Sequence, residues 1–115
     1  MVASAGQRRH TKASVTAYYR GLFDRRGPVL DIGCGKGDFL DVNWVGTDYD
    51  LGSLRGLTRV VQVDVTLGLP FRDGSFGGIL AKDLVEHLVD PRGLLAEAHR
   101  VATPGARLSS GRLAR

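Results

Sequence analysis

Thiols are nearly absent: Cys34 is the single cysteine in 115 residues, which excludes an internal disulfide and a cysteine-rich metal site and agrees with a reducing compartment. It stands between two glycines with no His or Asn beside it, so it reads as a small buried filler rather than a nucleophile. No metal site is expected. Long apolar runs are also missing, and the polar start MVASAGQRRHTKAS has no apolar core of a signal peptide. The expectation is a cytoplasmic protein without membrane attachment. Acid is in short supply, with 12 Asp and Glu against 16 Lys and Arg, for a formal charge of +4. The excess base sits at the ends, in Arg8, Arg9, His10 and Lys12 and in Arg107, Arg112 and Arg115, while the middle is close to balanced. No aromatic residues interleave with these clusters. They read as solvated termini, and nucleic acid is not the expected partner.

What is present, 43% hydrophobic and 24% charged residues, is the composition of an ordinary globular domain with one core. Val15, Tyr18, Tyr19, Leu22 and Phe23 fall at helical spacing and predict an amphipathic helix over Ala13–Phe23. Arg25-Arg26-Gly27-Pro28 ends it. Val29–Ile32 reads as a short buried strand, Asn43–Thr47 as a second ending in Asp48, Arg59–Val63 as a third ending in Asp64, and Phe76–Ala81 as a fourth. Between the last two lies a loop with a turn at Asp73-Gly74. Asp90 as N-cap and Pro91 at the first helical position open another helix, with an apolar stripe of Leu94, Leu95, Ala98, Val101 and Ala102. Pro104-Gly105 is expected to stop it, and Ala106–Ser109 to begin a fifth strand. Strands alternating with crossovers and ending in acids or glycine turns predict an α/β fold with a parallel sheet. The domain is expected over 13–108, between a flexible basic leader (1–12) and a disordered tail (109–115).

Gly33, Gly35 and Gly37 follow the first strand at every second position, in VLDIGCGKGDFL. In a parallel sheet ligands bind beyond the carboxyl ends of the strands, and glycines there let the backbone approach a ligand and present N–H groups. A dinucleotide fingerprint would need glycine where Asp38 stands, and a phosphate loop would need Ser or Thr after Lys36 where Gly37 stands. Asp38 also disfavours a pyrophosphate. A ligand with an ammonium, a ribose and an adenine but no phosphate fits better: Asp31 near the ammonium, Asp48 for the ribose hydroxyls, Asp64 for the adenine amino group. Each of the latter two could instead cap the turn that follows it.

Five blocks in order, VLDIGCGKG, VGTDYD, VDVTLGLPFRDGSF, LVEHLVDP and EAHRVATPGARL, make the chain resemble the class I S-adenosylmethionine-dependent methyltransferases, in particular the methyltransferase domain 11 group. The resemblance covers roughly 29–108. It implies a Rossmann-like parallel sheet with flanking helices and S-adenosyl-L-methionine as cofactor. It further implies that Asp31, Gly33, Gly35 and Gly37 line the methionine part, that Asp48 holds the ribose, that Tyr49 lies beside the adenine, and that Asp64 with the Val65 N–H reads the adenine edge. Ala81 and Lys82 would face the sulfonium, and His87 is the candidate general base for acceptors that must lose a proton. The implied function is methyl transfer to a small-molecule acceptor.

Three departures accompany the resemblance. Only 11 residues, Gly33 to Asn43, connect the first two strands, where a parallel crossover normally takes a dozen or more. Either the crossover helix is a stub, or the second strand starts later and Asp48 is displaced from Gly33. Gly77 stands where relatives usually carry Asp. After PGARL relatives continue through another helix and an antiparallel strand pair, so the sheet is expected to be incomplete at about five strands, as in a truncated member. That favours an alternative: a non-catalytic module that binds cofactor weakly, or a homo- or hetero-oligomer in which a partner completes the sheet.

Overall fold

The computed structural model describes residues 11–24, 26–82 and 88–110. Residues 1–10 of the expected leader, 111–115 of the expected tail and His87 lie outside the described residues, whereas Thr11 and Lys12 of that leader open a helix and Ser109 of that tail ends a strand.

Thr11 starts the first helix, α1 (Lys12–Leu22), with a reciprocal cap: its hydroxyl accepts from the Ser14 N–H and the Ser14 hydroxyl accepts from the Thr11 N–H, both at 3.0 Å. The remaining elements are β1 (Val29–Ile32), β2 (Trp44–Asp48), α2 (Leu51–Leu54), β3 (Val60–Gln62), a 3-10 turn at Val65–Leu67, β4 (Phe76–Leu80), α3 (Arg92–Val101) and β5 (Ala102–Ser109). The strands form one parallel sheet in the order β3-β2-β1-β4-β5. The order reverses between β1 and β4, which in such sheets is where a ligand crevice opens. No helix among the described residues is long and apolar enough to cross a membrane.

Side chains alternate between the two faces of β1, as strand geometry requires. Leu30 and Ile32 join Val63, Phe76 and Ile79 under Leu94, Ala98 and Val101 of α3. Val29 lies on the opposite face with Trp44 and Leu80, beneath Tyr19 and Phe23. Burying each large aliphatic side chain of these two clusters stabilises the fold by roughly 1.5–3 kcal/mol. Trp44 packs edge-on against Phe23, with ring centroids 5.6 Å apart. Tyr19 is buried against Phe39, while Tyr18 is exposed.

The ends of two elements differ from expectation. Helix α3 stops at Val101 and β5 begins at the next residue, so Pro104-Gly105 does not end the helix. These two residues lie inside β5, where Gly105 has φ 77° and the pairing with β4 shifts register between Phe76 and Gly78. Among the described residues β5 is the outer strand, where a missing proline N–H costs no ladder bond on the unpaired side, and a bulge absorbs the extra length. Leu95 of the expected apolar stripe is exposed. At the other end of α3 the expected cap is shifted by one residue: the helix begins at Arg92 with Pro91 in the N-cap position and no side-chain cap there, while Asp90, one residue earlier, accepts from the Arg92 N–H at 3.0 Å.

The short crossover takes neither of its two expected forms: no helix, not even a stub, lies between Ile32 and Trp44, and β2 starts at Trp44 with Asp48 still in reach of the glycine loop. The chain returns through turns closed by Gly37 N–H to Cys34 C=O and Leu40 N–H to Gly37 C=O. Arg20 of α1 holds this segment, donating through Nε to the Phe39 carbonyl at 3.1 Å and through Nη2 to the Leu40 carbonyl. An ion pair with Asp41 at 3.7 Å adds to the clamp.

Gly77 has a steric reason to be glycine. An ideal Cβ there would lie 1.5 Å from the Arg26 carbonyl oxygen, so the Asp of the resembling family cannot be accommodated without moving the 26–28 turn.

Candidate functional site

Gly33, Gly35 and Gly37 have φ of 75°, 57° and 81°. A residue with a Cβ resists the left-handed region at all three. Their surroundings separate their roles. A Cβ at Gly35 would meet nothing within 4 Å, so this turn faces open space. At Gly37 it would come within 2.9 Å of Leu57 and 3.0 Å of Leu40, so the loop closes onto the protein there.

Beside this loop, Asp31 is 1% exposed and its Oδ2 has no hydrogen-bond partner. Burial first, and then the nearby negative charge of Asp48, push its carboxyl up to about 7, against a smaller opposing pull from Lys82. The Lys82 ammonium stands 6.0 Å from the centroid of the Phe39 ring. Cys34 lies in the same loop with its N–H on the Thr47 carbonyl at 2.7 Å. Burial, Asp31 and Asp48 push its thiol up to about 12, which keeps it protonated and suits the expected filler role.

Asp48 ends β2 in reach of the loop: Oδ2 accepts the Gly35 N–H at 2.8 Å and Oδ1 accepts the Asp50 N–H at 2.9 Å. A carboxylate offers about four lone-pair positions, so two acceptor positions remain on Asp48. Tyr49 is 71% exposed, and its carbonyl accepts from the Gln62 side chain at 3.0 Å. Asp64 lies two residues past the end of β3 and caps the 3-10 turn through Oδ1 alone, which accepts the Thr66 N–H at 3.0 Å and the Thr66 hydroxyl at 2.6 Å. Both bonds hold its carboxyl below the usual range. Val65 packs against the α3 side of the core.

The fold therefore brings Asp31, Gly33, Gly35, Asp48 and Lys82 together at the point where the strand order reverses. Asp64 and Val65 flank them one strand further out. Ala81 sits differently: its side chain joins the α3-side cluster and its N–H bonds the Ser109 carbonyl at 2.9 Å. Two residues missed in the sequence support the site from outside, Arg20 at the crossover and Arg100 at the 69–73 loop; apart from Glu97, three residues before Arg100, their hydrogen-bond partners are 19 to 31 positions away, beyond any local pattern. Among the described residues no group of three or more His, Cys, Asp or Glu could hold a metal ion.

The arrangement suits a cationic, hydroxyl-bearing ligand. An unpartnered buried carboxylate oxygen calls for a donor, the glycine turn leaves room for close approach, and Asp48 offers acceptors to a diol.

A family model described as a methyltransferase domain matches residues 30–110. Norajmaline N-methyltransferase of Rauvolfia serpentina is 33% identical over 96 residues, covering 68% of this chain and 33% of that protein. A probable tRNA methyltransferase 9B of Mus musculus is 38% identical over 91 residues, covering 70% of this chain and 20% of the relative. The chain thus spans a third or less of the length of both. Among solved structures, a SAM-dependent methyltransferase of Thermotoga maritima, described as a possible histamine N-methyltransferase, superposes with a TM-score of 0.70 at 23% identity, over 85% of this chain and 49% of that one.

Proposed function

The chain belongs to the class I S-adenosylmethionine-dependent methyltransferases, and from that premise we propose that it binds S-adenosyl-L-methionine at the β1–β4 switch point and takes part in methyl transfer to a small-molecule acceptor. The observation that carries this is the buried Asp31 Oδ2 without a partner, set beside an open glycine turn.

The cofactor would supply a methyl group on a sulfonium, an electrophile with a good leaving group. Asp31 Oδ2 accepts from the amino group of the methionine part. Gly33 and Gly35 admit that part against the backbone, whereas Gly37 keeps the loop packed on Leu40 and Leu57. The two remaining acceptor positions of Asp48 take the ribose hydroxyls. Tyr49 covers one side of the adenine, and Asp64 with the Val65 N–H meets its edge. Lys82 balances the charge of Asp31 and Asp48. Direct displacement needs alignment more than proton transfer, so holding the donor is much of the catalysis; His87 serves as base only for acceptors that must lose a proton.

The N-methyltransferase name of one relative and the tRNA methyltransferase name of another support different acceptors. A small molecule suits this chain better, because its excess base lies at its ends. A second reading, an accessory module completed by a partner or a second copy, is favoured by the outer edge of β5. Among the described residues that strand pairs only with β4, and the groove beside it exposes Leu95 and Leu108 next to Ile79 and Ala98.

Calorimetric titration with S-adenosylmethionine and S-adenosylhomocysteine tests the proposal. Binding by wild type that weakens at least tenfold in Asp48→Ala is expected, and no heat with folded protein overturns it. Binding without turnover on a panel of acceptors, together with self-association in light scattering, would favour the accessory module.

A further inference from the structure

All five N–H donors of Arg100 are engaged. Nε donates to Glu97 Oε2 at 2.7 Å; Nη1 donates to the Phe71 carbonyl and to Asp73 Oδ1, both at 2.8 Å; Nη2 donates to the Leu69 carbonyl at 2.8 Å and to Glu97 Oε1 at 3.0 Å. Glu97 completes the set by accepting the Leu69 N–H through Oε1 at 2.7 Å. These contacts hold Glu97 at about 2, so it stays charged at any physiological pH.

A surface ion pair would explain the contact with Asp73, whose side chain is 83% exposed, but not the rest. Two backbone carbonyls and one backbone N–H of a single loop are gathered by one helix turn of α3. That loop is the direct continuation of Asp64 and the 3-10 turn at Val65–Leu67. Gly68 joins the two at φ 96°, and a Cβ there would stand 2.9 Å from Glu97 Oε1. Turn and helix also face each other across a cavity of about 610 Å³, with Val65, Thr66 and Gly68 on one wall and Leu94 and Glu97 on the other. The turn is therefore referenced to α3 from behind, while Asp64 fixes it from the front through Thr66.

We propose that Arg100, with Glu97, is a positioning residue for base recognition: the pair sets where the Asp64 carboxylate and the Val65 N–H meet the adenine edge, and so sets selectivity for a 6-amino purine. This rests on the cofactor reading above. Asp64 accepts from the exocyclic amino group and the Val65 N–H donates to ring N1. Hypoxanthine reverses both partners, since it carries a carbonyl in place of the amino group and a proton on N1. An acceptor facing an acceptor, or a donor facing a donor, loses the bond and leaves both groups unsatisfied.

The test compares S-adenosylhomocysteine with S-inosylhomocysteine by calorimetry on wild type, Arg100→Lys and Glu97→Gln, with the folded state of each checked by its melting curve. Wild type is expected to prefer the adenine compound by about 10- to 100-fold. In either variant that folds, the ratio is expected to fall to within about threefold of unity, the adenine compound losing affinity while the inosine compound changes little. Lysine keeps the charge but cannot reproduce a five-donor fork, so retained selectivity in both variants overturns the proposal. Equal affinity of wild type for the two compounds also overturns it, while leaving cofactor binding intact. No binding of either compound to wild type overturns the cofactor reading and this inference together.

Discussion

The Gly35 N–H points at Asp48 Oδ2 across a distance of 2.8 Å and a separation of 13 residues. This bond joins the glycine turn after β1 to the end of β2 in a chain with no helix between the two strands. In a full-length crossover the helix would fix the turn; here the carboxylate does so, and the Cys34 N–H on the Thr47 carbonyl adds a second tie at the same level.

Asp48→Asn should therefore act on the loop as well as on the ribose. The amide keeps one acceptor but loses charge and one carboxylate oxygen, so bonds to the Gly35 and Asp50 amides compete for it. S-adenosylhomocysteine affinity is expected to drop by about tenfold or more, and exchange of the Gly35 amide proton to rise. Unchanged protection of that amide in the variant would show that the turn holds itself.

Strands β1, β2 and β4 are legible in the sequence because each is a short apolar run bounded by glycine, proline or an acid, and buried strands need little else. The glycine turn and Asp31 are legible for the same local reason, since positive φ at alternate positions demands glycine whatever the tertiary context. The end of α3 is not, because Pro104-Gly105 is a helix stop by local rules and a tolerated bulge only once β5 is known to be an outer strand. Gly77, Arg20 and Arg100 are invisible for a further reason: each answers to a backbone carbonyl brought close by the fold, from Arg26, from Phe39 and Leu40, and from Leu69 and Phe71 respectively.

Gly77→Asp should destabilise the protein, although Asp is the residue usual in the resembling family. The new Cβ overlaps the Arg26 carbonyl, and the strand cannot yield because the Gly77 N–H bonds the Pro28 carbonyl at 2.9 Å. Overpacking of this kind costs about 1–3 kcal/mol. Urea unfolding followed by far-UV circular dichroism should show a lower midpoint with the same slope; a midpoint equal to wild type would mean that the 26–28 turn moves freely.

Arg20→Ala should loosen the crossover without removing any ligand-facing group. Two partly buried carbonyls, of Phe39 and Leu40, lose their charged donor, at about 1–2 kcal/mol in total. In a domain of this size that lowers Tm by on the order of 5–10 °C. Because Phe39 packs on Tyr19 with centroids 4.8 Å apart, the near-UV signal of the tyrosines should weaken as well. A variant with the wild-type Tm and near-UV spectrum would show the clamp to be redundant.

Asp31 should make both stability and cofactor binding depend on pH in opposite senses. Its carboxyl stands at about 7 in the folded protein against an ordinary 3.8, so between these values the folded state holds a proton that the unfolded chain has released. Stability then falls as pH rises through that window, is fullest below it, and reaches its low plateau above about pH 7. Asp31→Asn removes the group, so its stabilisation over wild type should be largest near pH 8, on the order of 4 kcal/mol, and should vanish towards pH 4. Binding runs the other way. An ammonium at Oδ2 favours the charged carboxylate, so the proton must leave on binding, and wild-type affinity for S-adenosylhomocysteine should weaken by about tenfold for each pH unit below 7. Asp48 and Lys82 act on the same carboxyl with opposite signs, so Lys82→Met should shift the break in the binding profile to higher pH. Calorimetry in buffers of different ionisation enthalpy reads the released proton directly. Affinity that stays flat from about pH 5.5 to 8, with no proton released, would place the amino group somewhere other than Asp31.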